Sequence, residues 1–78
     1  MIFITDPKKT TAVALAVALE LDLNETRELL MKAGLALSHC EKFDIIVEFF
    51  IRERRYNIHE INQALYYYDQ TPLGNVVE

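Results

Sequence analysis

His39, Cys40 and His59 are the only histidine and cysteine side chains in this sequence, and no two of them stand at a zinc-site spacing such as C-x2-C or H-x3-H. No metal site is expected from them. His39 and Cys40 adjoin at the start of an expected helix, where the helix dipole would favour a thiolate and an imidazole could act as base. Neighbouring helical residues project about 100° apart, so the two do not face one another and no catalytic pair is expected. Asp44, Glu48, Glu53 and Glu60 read as solvating and capping carboxylates on outer surfaces, without a pocket that would raise the pKa of one of them. Gly34 and Gly74 are the only glycines, too few for a phosphate-cradling loop. No catalytic residue and no cofactor are therefore expected.

What remains is electrostatic and aromatic. Arg52, Arg54 and Arg55 form the one basic cluster and are the candidate phosphate contacts. Glu48 stands four residues before Arg52, an i, i+4 pair worth a few tenths of a kcal/mol, and a solvated turn is the preferred reading. Tyr66, Tyr67 and Tyr68 could stack on bases as aromatic platforms do. No Lys or Arg is interleaved with them, so packing is their expected role. A net charge of −4 and a pI near 5.1 also disfavour broad attraction to phosphate. This chain alone is not expected to bind DNA.

The elements that hold these residues read as helices. The stretch from Ser38 to Tyr68 forms two amphipathic helices around a tight charged connection. Ser38 and Glu41 have the S-x-x-E spacing of a capping box, which predicts a helix from about His39 to Arg54. Phe43, Ile46, Val47 and Phe50 recur at helical spacing, and Ile45, Phe49 and Ile51 widen the stripe until the helix wants cover on more than one side. Asn57 and Glu60 repeat the cap, with Tyr56 placed to staple onto Ile61, ahead of a helix from Ile58 to Tyr68. Ile58, Ile61 and Leu65 line its inner face, and Thr71 before Pro72 stops it.

Upstream, Thr5 or Asp6 caps a helix with Pro7 at its first position, running to about Leu21. Its body from Ala12 to Leu19 has no polar face and must be enclosed. Asp22 or Asn24 caps the next helix, which carries Leu29, Leu30 and Ala33 inward and ends at Gly34 as left-handed terminator. The whole is expected to be all-α: a single domain over 1–78, a compact bundle of about four short helices, with an N-terminal arm at 1–6 and a loose tail at 75–78.

The totals agree with such a fold. With 78 residues, 51% of them hydrophobic, and only 2 Gly and 2 Pro, the chain is a small ordered domain. A domain of this size buries only about 60–65% of its unfolded surface. One Cys cannot make an intramolecular disulfide, and the apolar run from Ala12 to Leu19 is far shorter than the roughly 20 residues a spanning helix needs. A cytoplasmic location with no membrane association is expected.

Pro7 to Leu21, followed by Asn24-Glu25-Thr26 and Leu29 to Gly34, resembles the last two helices of a lambda-repressor-like (XRE-type) helix-turn-helix domain. The continuation through Leu37-Ser38, Lys42-Phe43-Asp44, Glu48 to Ile51, Tyr56-Asn57-Ile58 and Glu60-Ile61-Asn62 to Pro72-Leu73-Gly74 is similar to the C-terminal extension of one group of bacterial XRE-type regulators. In that family the recognition helix lies ahead of the region matched here, so the resemblance carries over no DNA-contacting residue. It implies a non-enzymatic interaction domain related to transcriptional regulators, acting through self-association or a protein partner. The alternative is a DNA-binding regulator whose dimer brings two Arg52 to Arg55 turns together. On the first reading the bundle is completed by dimerisation, because two all-round apolar helices compete for the same cover. Val13 and Val17 are then expected at the interface, with Ile2, Phe3 and Ile4 reaching across to the second copy.

Overall fold

In the computed structural model, residues 6–73 are described and form four helices, α1 (Pro7–Ala18), α2 (Leu23–Lys32), α3 (Lys42–Arg52) and α4 (Ile58–Tyr67). The expected all-α bundle is what forms. Ile2, Phe3, Ile4 and the tail 75–78 lie outside the described residues.

Three helix starts follow from their caps. The Asp6 side chain accepts from the Lys8 N–H at 2.8 Å, with Pro7 as first helical residue. Asp22 and Glu25 form a reciprocal capping box, at 2.8 and 3.0 Å. Asn57 Oδ1 accepts from the Glu60 N–H at 3.1 Å. The fourth start differs from expectation: α3 begins at Lys42, and its N-cap, Glu41, makes no side-chain cap. Ser38 Oγ accepts instead from the Cys40 N–H at 3.1 Å, a local turn that competes with the helix cap. His39 and Cys40 therefore lie in a turn ahead of the helix and are exposed.

All four helices stop in one way. After the last helical turn one residue takes a positive φ, and its N–H and the next bond back onto the turn. For α2 this residue is Gly34 (φ 75°), with Gly34 N–H on the Met31 carbonyl at 2.9 Å and Leu35 N–H on the Leu30 carbonyl at 2.8 Å. Glu20, Arg54 and Asp69 hold the same position after α1, α3 and α4, at φ 54°, 56° and 60°, and the residues following them bond to Ala16, Phe50 and Leu65. The stop at Glu20 ends α1 at Ala18, short of Leu21.

Along the ring, α1 packs on α2, α2 on α3, α3 on α4 and α4 back on α1. Inside it lie Val13, Ala14 and Val17 of α1, Leu30 of α2, Phe43, Val47, Phe50 and Ile51 of α3, Ile61 and Leu65 of α4, and Leu73. The Tyr56 hydroxyl donates to the Leu21 carbonyl at 2.7 Å, joining the α3–α4 connection to the α1–α2 connection. The Leu73 N–H donates to Asn62 Oδ1 at 2.7 Å, which clips the chain after α4 back onto that helix.

Val13 and Val17 are 0% and 3% exposed within one chain. They are core residues, not surface for a second copy, because Ala14 and Ala16 let the neighbouring helices approach closely enough to enclose them. Only Leu15 and Leu19 of the apolar α1 stretch stay large and exposed. Ala33, expected to face inward, is exposed as well.

Candidate interaction surface

Helix α3 divides into arcs, and its 100° step per residue explains them. Phe43, Val47, Phe50 and Ile51 fall together and fill the core. Asp44 and Glu48 fall on the edge of that arc and are carried inside with it, 0% and 4% exposed. Both were expected at the outer surface. Burial of a carboxylate requires paired cations and hydrogen-bond donors, and both have them. Asp44 Oδ2 accepts from Lys9 Nζ of α1 at 2.7 Å and from the Ser38 N–H at 2.6 Å, while its buried Oδ1 has no hydrogen-bond partner. Glu48 Oε2 accepts from Arg52 at 2.7 Å and lies 3.5 Å from Arg27 of α2, and its Oε1 lies 3.0 Å from His39 Nε2. Burial pushes the Glu48 carboxyl up, but the Arg52 hydrogen bond and the charge and hydrogen bond of His39 outweigh it and hold the group below the usual carboxylate range. These two carboxylates hold α1, α2 and the 34–41 connection onto α3.

The opposite arc of α3 is apolar and open. Ile45 and Phe49 are 47% and 45% exposed, and beside them runs a groove of about 480 Å³ floored by Ile46, Phe50 and Ala64 and flanked by Lys42 and Tyr68. Phe49 packs edge-on against Phe50, with ring centroids 5.4 Å apart. Tyr68, expected to serve in packing, stands half exposed at the rim. A broader depression of about 730 Å³ on the outer face of α4 lies among His59, Gln63, Tyr66, Tyr67 and Pro72, and Asn62 at its edge is already engaged by Leu73.

The basic turn is largely neutralised. Arg52 is held by Glu48, and Arg55 pairs with Glu60 at 2.9 Å while its guanidinium lies over the Phe50 ring, 5.7 Å from the centroid. Arg54 takes the positive-φ position and is exposed. Of the three candidate phosphate contacts, two are therefore committed within the chain. No group of three or more His, Cys, Asp or Glu side chains that could hold a metal ion occurs among the described residues, and no described helix is long and apolar enough to cross a membrane. Sequence reasoning missed the exposure of Ile45 and Phe49 because every turn of α3 offers apolar residues, so periodicity does not fix which of them turn inward. The signal for Asp44 and Glu48 was their i, i+4 and i+7 alignment with Ile51. No family model, curated protein or solved structure matches the chain.

Proposed function

We propose that this chain is a non-enzymatic interaction domain that self-associates through the open α3/α4 face, in keeping with its resemblance to the C-terminal region of XRE-type regulators. The observation that carries the reading is the paired exposure of Ile45 and Phe49 above an apolar groove, in a domain whose core is otherwise enclosed. Exposed aromatic and aliphatic side chains beside a groove are what association surfaces present, since covering them removes apolar area from water. Sedimentation equilibrium on the parent and on Phe49→Glu tests it. The parent should associate as concentration rises, and Phe49→Glu should sediment at 9.1 kDa while melting with the parent at dilutions where both are monomeric, because that half-exposed ring contributes little to the core. A parent that remains at 9.1 kDa into the millimolar range would overturn the reading.

A further inference from the structure

The charges at the two ends of this face assign an orientation to the pairing, an inference that rests on the α3/α4 face being where copies meet. Lys42 opens α3 and Glu53 closes it; both are exposed, and neither makes an ion pair among the described residues. At 100° per residue Lys42, Ile46, Phe49 and Glu53 fall within about 60° of one another, so the open arc reads cation, apolar, apolar, anion along roughly 16 Å of helix. We propose that two copies pair α3 against α3 antiparallel about a twofold axis crossing the helix midway between Ile46 and Phe49. That axis sets Ile46 of each copy opposite Phe49 of the other and brings each Lys42 level with the other copy's Glu53. A parallel twofold pairing would place Lys42 against Lys42 and Glu53 against Glu53, two like-charge contacts in place of two opposite ones. The antiparallel arrangement also sets the positive end of each helix dipole beside the negative end of the other. A strip with opposite charges at its ends is complementary to itself only when reversed, and a second copy of this chain supplies that reversed strip.

The experiment uses the full chain in a Cys40→Ser background, with Lys42→Cys and Glu53→Cys carried on separate copies. Mixed and oxidised, the two should form the heterodimeric disulfide well ahead of either homodimeric one. In parallel, Lys42→Glu and Glu53→Lys should each weaken association by about tenfold, and the double reversal should restore it. Homodimeric disulfides in preference to the mixed one, or single reversals that leave association unchanged, would overturn the antiparallel register while self-association stood. A parent that is monomeric at every concentration would overturn both. Melting temperatures that match the parent's at dilutions where all are monomeric separate these outcomes from misfolding.

Discussion

Lys9 Nζ reaches Asp44 Oδ2 at 2.7 Å across 35 residues of sequence, joining the first turn of α1 to the first turn of α3, and both side chains are nearly or fully buried. Helices α1 and α3 are not neighbours along the ring, so this ion pair spans the bundle where backbone packing is sparse. Its geometry sets two opposed terms against each other. Desolvation of two charges costs several kcal/mol, and the attraction and hydrogen bonds offset it only while both partners are present.

Lys9→Met should therefore destabilise the domain by about 3–5 kcal/mol, the range for leaving a buried charge without its partner. Adding Asp44→Asn removes the charge but keeps an acceptor for the Ser38 N–H, and should recover much of that loss. Chemical denaturation of the two variants checks it; equal stability of single and double variants would show that the pair is not coupled.

Stability should fall with acid through Glu48. Its folded pKa lies below its unfolded value of about 4.3, so it contributes stability that is fully present above that value and lost as pH falls through the lower folded one. Glu48→Gln should be less stable than the parent at pH 7, and the gap between them should narrow below about pH 4. Melting temperatures of both proteins from pH 7 to pH 3 would reveal a constant gap if the carboxylate were not held by Arg52 and His39.

Three of the four helix stops use a side chain where glycine is favoured. A left-handed φ costs an L-residue on the order of 1–2 kcal/mol, part of which glycine returns as unfolded-state entropy. Arg54→Gly should consequently stabilise the domain by about 0.5 kcal/mol, and Gly34→Ala should destabilise it by about 1 kcal/mol. A Cβ at Gly34 would meet nothing within 4 Å, so a loss there reports backbone strain alone. Urea midpoints of the two variants that move in the same direction would contradict this account.

Asn57→Ala should cost about 0.5–2 kcal/mol through loss of the α4 cap. Ser38→Ala should cost less, since Ser38 Oγ closes a turn before α3 and caps no helix. A Ser38 variant as destabilised as the Asn57 variant in urea unfolding would return Ser38 to the helix start.

The helix count, three helix starts and an apolar stripe along α3 were legible because each depends on spacing within one turn or two; of that stripe Phe43, Val47, Phe50 and Ile51 turn fully inward, while Ile46 is half-buried and Ile45 and Phe49 stay exposed. Gly34 was legible as a terminator because glycine tolerates positive φ. The stops at Glu20 and Arg54 were not, since those residue types seldom take that conformation, and Asp69, of a type that takes it more readily, was read only as part of the segment that ends α4. The i, i+4 and i+7 alignment of Asp44 and Glu48 with Ile51 carried a signal of their burial, but the partner that makes burial of Asp44 tolerable was hidden, since Lys9 is 35 positions away. The expected interface at Val13 and Val17 failed on the same ground, because the cover for α1 comes from the helices that follow it. Leftover apolar surface was foreseen, but on α1 rather than on the open face of α3.

The closure of the ring by α4 against α1 has a consequence for how the chain leaves the ribosome. Val13, Ala14 and Val17 share their core with Leu65 and Leu73, and 55 residues separate Ala18 from Leu73. At roughly 5–20 residues per second of synthesis, the apolar side of α1 waits about 3 to 11 seconds for the segment that seals it. During that interval the nascent chain presents an uncovered aliphatic helix, a target for holdases and for neighbouring nascent chains. Translation speed over the α3 and α4 codons therefore bears on the yield of folded protein.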